Sequence, residues 1–439
     1  MKRLNFQSIF CFVSFLFLLS CCIFYGTRFV KLYLANEEEK KIEKNSLVKV
    51  IKESNENNNN FKEINDNLYF INNADNNYLK YSNIMWRIIK INEDNSITAI
   101  SNNSLTSLAF GENTDISKSN ILKWLNKTEE DYSGILEKEL NNPHVYLQKT
   151  NICLDEIDNI NNNPCTNTNN DNYISLLSTI DFANMGNKNS YVINDEFFYL
   201  ENTNSEKEVW TVTDEGKVTT SIGNEIMGIR PVITIIPNVD YVNGNGKIDN
   251  PYTIENDNSL FGSYVKLGNN LWQIYEVNDD FVRLSLNDYL KVNNEIYTHN
   301  YSSKNSYHND TTYGTLAYYL NRNYLNSLSY KDLIKERKWP NGYYNNENNY
   351  DYTNSLNKEV DTKVALMSIG NIFLNKELNN YFTMSGTSDN SPELYTIQKN
   401  QKVYTKSIQT SAKIVPTISI DKDILKKGNG TIESPYEVE

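Results

Sequence analysis

The stretch Tyr78-Leu-Lys-Tyr-Ser-Asn-Ile-Met-Trp86-Arg-Ile returns later in the chain as Tyr264-Val-Lys-Leu-Gly-Asn-Asn-Leu-Trp272-Gln-Ile. Each copy reads as two β-rich runs flanking a two-residue turn, Ser82-Asn83 in one and Gly268-Asn269 in the other, the pattern of a β-hairpin. The repetition extends outward in unchanged order. Ile121-Leu-Lys-Trp-Leu-Asn126 is answered by Leu316-Ala-Tyr-Tyr-Leu-Asn321, and Ile174-Ser-Leu-Leu-Ser178 by Val364-Ala-Leu-Met-Ser368. Val209-Trp-Thr-Val212 pairs with Leu394-Tyr-Thr-Ile397, and Ile229-Arg-Pro-Val-Ile233 with Ile414-Val-Pro-Thr-Ile418. Gly244-Asn-Gly-Lys-Ile-Asp-Asn-Pro-Tyr252 closes the first copy as Gly428-Asn-Gly-Thr-Ile-Glu-Ser-Pro-Tyr436 closes the second. The matched positions include Trp, Pro and Gly, which low complexity does not reproduce. The chain therefore reads as one module of roughly 190 residues present twice, over 62–256 and 257–439, a period too long for a solenoid.

Within a module the strands come first. Asp94-Asn95 turns into a further strand over 96–100. Helical spacing is found over 119–126 and 133–140. Ser178-Thr-Ile-Asp181 fits a capping box, with Gly186 placed to end the helix. Val209–Val212 and the run after Gly216 read as a hairpin. The run over 229–236 is strongly β with an internal Pro, which points to an edge or a bulge. The expected class is α+β: an N-terminal transmembrane helix, then two β-rich modules with antiparallel sheets and a few short helices.

These matched motifs resemble those of surface proteins of low-GC Gram-positive bacteria that have no established activity. The carrying residues are Trp86-Arg-Ile-Ile89, Leu176 to Asp181, Val209 to Val212, Ile229 to Ile233 and Gly244 to Tyr252. The order of elements is also similar to a diverged C-type-lectin-like module, of the kind shared with formylglycine-generating enzymes. That resemblance implies neither of its two known chemistries here. The lectin calcium signature is missing, and neither copy has the Cys pair that the enzymes carry near the end of the domain. The second copy departs from the first at Gln273 for Arg87, Asn371 for Asp181 and Val415 for Arg230. A catalytic set made of those polar residues would survive only in the first copy.

Ahead of the modules, Lys2 and Arg3 precede an apolar run from Phe6 to Tyr25, long enough for a bilayer crossing. No small-x-small cleavage site follows, so residues 1–33 read as a cytoplasmic flank and signal anchor, and 34–61 as a polar stalk. The bulk is then extracellular on a single-pass membrane protein; lipidation at Cys21, or secretion after cleavage, are the alternatives. Of five Cys, three lie in the apolar run. Cys153 and Cys165 flank an Asn- and Asp-rich loop and are expected to form a disulfide, as suits an oxidising compartment. A zinc pair lacks both the spacing and a second ligand pair. The 439 residues carry 42 Lys plus Arg against 55 Asp plus Glu, for a net charge of -13, which argues against nucleic acid as a partner. Three His leave little room for His-dependent catalysis or metal binding.

No catalytic residue, metal site or cofactor is expected. The Gly-rich stretch over 243–249 lacks the first and last carboxylates of a calcium loop. Trp86 and Trp272 read as core. The best binding candidates are Trp339, Asn341, Tyr343 and Tyr344, whose rings and amides suit a sugar or peptide. The expected function is non-catalytic recognition of a surface glycan, peptide or protein. A structural or adhesive spacer is the alternative, with a cell-envelope hydrolase behind it.

Overall fold

The computed structural model describes residues 28, 46–56, 60–111, 114–126, 128, 129, 132–161, 165–254, 259–302, 313–344, 358–388 and 392–438. Each half of the chain is built on a main sheet of seven shared strands. In the first half their spatial order is Ile174–Ser175, Val232–Ile235, Ile97–Ser101, Ile84–Ile91, Tyr78–Tyr81, Tyr252–Ile254 and Tyr241–Asn243. In the second half it is Val364–Ala365, Thr417–Asp421, Phe281–Leu286, Asn270–Val277, Tyr264–Leu267, Tyr436–Val438 and Leu425–Lys427. These are the same elements in the same order. In both halves the closing strand returns parallel to the opening one, Tyr252 beside Leu79 and Tyr436 beside Val265. Both long strands carry a bulge at the same place, between Ile88 and Lys90 and between Ile274 and Glu276.

A second sheet of five strands packs in each half. Val218–Ser221, Val209–Val212, Phe198–Thr203, Met227–Ile229 and Thr106–Leu108 form the first. Val403–Ser407, Glu393–Ile397, Tyr381–Gly386, Ala412–Lys413 and Thr298–His299 form the second, again in matching order. The turns that close each module need glycine. Gly244 and Gly428 have φ of +102° and +92°, and a Cβ on either would lie 2.0 or 2.1 Å from a proline carbonyl oxygen.

Three expectations are corrected. The class is predominantly β rather than α+β: strand residues outnumber helical ones more than twofold. The helical spacings become segments of only one or two turns, such as Asn120–Asn126 and Ile135–Lys138, because sheets supply most of the surface they pack on. The expected transmembrane helix over residues 6–25 lies outside the described residues. Among those described, no helix is long and apolar enough to cross a membrane, so the signal anchor has no structural support and is set aside. Finally, the expected stalk is part of the fold from residue 46 onward. The helix Leu47–Asn55 buries Leu47, Val48 and Ile51, one apolar stripe at helical spacing, and Leu47 N donates to Val239 O at 3.0 Å.

Trp86 and Trp272 are fully buried, in one continuous apolar core that runs through both halves. The seam between the halves is hydrogen-bonded as well as packed. Phe373 N donates to Leu105 O at 2.9 Å, Trp124 Nε1 to Gly370 O at 2.9 Å, and Ala109 N to Tyr344 Oη at 2.9 Å. Asn83 Nδ2 donates to the carbonyls of Ser259 and Phe261, both at 2.9 Å.

Candidate binding cleft

The aromatic residues marked out by sequence are structural. Trp339 is 1% exposed; its Nε1 donates to Thr362 O at 2.9 Å, and the Arg283 guanidinium lies 4.6 Å from its ring. Asn341 is buried, and its backbone N donates to Lys358 O at 2.8 Å. Tyr344 is fully buried, joined to the first half through Ala109 and to Tyr395, whose hydroxyl donates to Tyr344 O at 2.9 Å. Tyr343 is half-buried beneath Lys358 Nζ, 5.1 Å from its ring centre. The Trp339 and Tyr344 rings are enclosed within the fold, and Tyr343 alone of the three stays partly exposed. Tyr350 and Tyr352, which continue this aromatic run in the sequence, lie outside the described residues.

Cys153 and Cys165 form a disulfide, with Cα atoms 5.8 Å apart. Asp155 lies beside them, and its carboxylate accepts from the Thr166 N–H and hydroxyl and from Asn167 N. With the sulfurs joined there is no thiolate to bind a metal. Cys153 N donates to the buried Glu201 at 2.6 Å; burial pushes the Glu201 carboxyl up to about 8.

The polar residues that distinguish the first copy are also structural. Arg87 is buried between the rings of Tyr78 and Tyr191, at 4.0 and 4.5 Å, and donates to Asn77 Oδ1 and Ala74 O. The Ser178 hydroxyl caps its helix, accepting from Asp181 N at 3.0 Å. The Asp181 carboxylate does not complete the capping box by reaching back. It takes Lys90 Nζ at 2.8 Å and Tyr69 Oη at 2.7 Å instead. Burial disfavours the charge on Lys90, but Asp181 and Tyr69 outweigh it and raise its pKa.

Arg230 sits where the chain crosses from one sheet to the other. Ile229 ends a strand of the second sheet and Val232 opens one in the main sheet; Pro231 between them has no N–H to give to a ladder. The guanidinium is 1% exposed and enclosed by carbonyls. Nε and Nη2 donate to Ser101 O at 3.1 and 2.9 Å, Nη2 also to Asn102 O at 2.9 Å, and Nη1 to Val192 O. The Phe198 ring lies 4.8 Å away. Burial lowers the Arg230 pKa to about 10, and Glu196 offsets part of that.

At the same crossing in the second half stands Val415, and the backbone path around Arg230 is reproduced there with other side chains. Trp86 pairs with Ser101, and Trp272 with Leu286, which makes Leu286 the counterpart of Ser101. Asn102 N bonds Met85 O as Asn287 N bonds Leu271 O. Asn194 Nδ2 donates to Asn102 O at 2.7 Å, and Asn375 Nδ2 to Asn287 O at 3.0 Å. Two residues before these amides stand Val192 and Phe373. Phe198 and Tyr381 each open the strand that pairs in parallel at the crossing.

Leu286, Asn287, Phe373, Asn375, Tyr381 and Val415 all line one cleft, with Gln273 and Ser285 on its wall. The cleft is narrow and opens to solvent. Before any side chain moves, the cleft has room for about one water. The sequence comparison of the two copies flagged the exchange of Arg230 for Val415. It gave no sign of what holds the guanidinium, because Ser101, Asn102 and Val192 act through backbone carbonyls. No protein-family model, curated protein or solved structure matches the chain.

Proposed function

We propose that this chain is an extracellular recognition protein that binds a glycan, peptide or partner protein through the cleft of its second half, without catalysis. The observation that carries the reading is the exchange of Arg230 for Val415, which leaves amides, carbonyls and a Tyr ring around solvent-connected space. Such a lining orients a ligand by hydrogen bonds while the apolar wall excludes water. The Cys153–Cys165 disulfide supports an oxidising compartment. The resemblance to Gram-positive surface proteins points the same way.

Glycan and peptide arrays probed with the full chain test this reading. Capture of one ligand class is expected, and Val415→Arg should lose it while the circular dichroism spectrum is unchanged. Turnover of cell-envelope material by the chain would replace recognition with hydrolysis.

A further inference from the structure

We propose that the cleft of the second half is a guanidinium slot, which takes the side chain of an arginine presented by a peptide or protein partner. The inference rests on the recognition reading above and names its ligand. Its basis is the molecule's own first half, where the equivalent space is occupied by a guanidinium. There, Arg230 satisfies its planar fork on the carbonyls of Ser101, Asn102 and Val192. The second half keeps the backbone at all three counterpart positions, and keeps the aromatic wall as Tyr381 in place of Phe198. The arginine is replaced by Val415, and two of the carbonyls now belong to bulkier residues, Leu286 for Ser101 and Phe373 for Val192. One of the three carbonyls, Phe373 O, has taken Gln401 Nε2 as a donor. Leu286 O and Asn287 O are the counterparts of the pair that in the first half receives Nε and Nη2, and Asn287 O also takes Asn375 Nδ2, as Asn102 O takes Asn194 Nδ2.

The rest of the cleft suits an arginine rather than a bare cation. Leu374 and Leu378 line it and can cover the aliphatic stem. Asp288 and Glu377, both exposed, follow Asn287 and Asn375 closely in the chain, though the Asp288 carboxylate is paired with Lys291. The two neighbouring lysines are turned elsewhere. Lys376 Nζ donates to Ser104 O of the first half, and Lys413 Nζ lies 3.2 Å from both Tyr289 Oη and Asn379 Oδ1. A lysine ligand would bring one point charge to carbonyls spaced for a fork. A citrulline keeps the two N–H groups of that edge but not the positive charge that strengthens their hydrogen bonds.

The test is calorimetric titration of the full chain with the peptide acetyl-Gly-Gly-Arg-Gly-Gly-amide and its Lys and citrulline counterparts. The Arg peptide is expected to bind about tenfold tighter than either. Methylguanidinium, but not methylammonium at equal ionic strength, should displace it, an arm that needs no variant. Val415→Arg should abolish binding, since the new side chain would fill the slot as Arg230 does. If methylguanidinium alone matches the Arg peptide, the guanidinium slot stands and the ligand is a small molecule rather than a partner chain. Equal binding of the three peptides would overturn the slot. Recognition would survive that result if an array ligand is still lost on Val415→Arg; with no array ligand either, both readings fall.

Discussion

Trp339 shows how far a single residue's role depends on what surrounds it. An exposed indole there would serve a ligand; the buried one serves the fold. Trp339→Ala is therefore expected to cost about 3–5 kcal/mol of stability, as a large cavity in a core does. Urea denaturation would show this as a lower midpoint with little change in slope, and an unchanged midpoint would contradict the burial. Glu201 makes a second residue-scale prediction. Its carboxyl is pushed up to about 8, against about 4.3 in an unfolded chain. The folded state thus holds its proton more tightly. The stability this adds is full below the unfolded pKa and is lost as pH rises through about 8, at up to about 1.4 kcal/mol per pH unit. Glu201→Gln keeps an oxygen for Cys153 N and cannot ionise. The variant should match the parent near pH 4 and exceed it increasingly towards pH 8 in denaturant titrations; parallel pH profiles would sink the idea. The sequence shows which residues are aromatic or acidic. It does not show that Trp339 faces inward, or that Glu201 has been enclosed, since both depend on strands distant in the chain.

The elements were more legible than the residues. Alternation and turn chemistry mark the opening hairpin, and the Ser178 cap and Gly186 stop mark a short helix that runs over Thr179–Asn184. What periodicity cannot say is which sheet a strand joins. The run through Pro231 reads as one interrupted strand, yet it serves two sheets. The matched bulges are likewise invisible in sequence, although they place charges of opposite sign at one position. Lys90 there pairs with Asp181. Burial opposes the charge on Glu276, but Arg283 and Lys138 outweigh it and hold the carboxyl down at about 2. The loop between Ile152–Cys153 and Thr168–Asn169 is tied at its base by a disulfide spanning 12 residues. Opening a loop of that size should lower stability by about 2–3 kcal/mol. Comparing the melting temperature of the oxidised chain with that of Cys153→Ser/Cys165→Ser tests this; equal melting temperatures would mean the loop is not constrained in the unfolded chain.

At the scale of the molecule, the duplication was plain from the ordered motifs, but the seam was not. Its contacts join residues that the repeat pattern assigns to separate modules. Lys138 of the first half reaches Glu276 of the second at 3.0 Å. Glu139, buried beside it, has a carboxyl pKa raised well above its usual range by burial and by the nearby Glu276. A shared core predicts a single cooperative unfolding transition. Scanning calorimetry should give one peak whose calorimetric and van't Hoff enthalpies agree. Two resolved peaks would show that the halves are energetically separate.

The seam also bears on how such a chain can change over generations. A duplicated module is ordinarily free to be lost, gained or exchanged, because each copy stands alone. Here each copy closes the other's core, so deleting one would strip its neighbour of a wall. The heritable unit is the pair: a longer relative would be expected to grow by whole pairs, and recombination within the seam to be selected against. Within that fixed partnership the two halves still differ at the crossing, Arg230 in one and Val415 in the other.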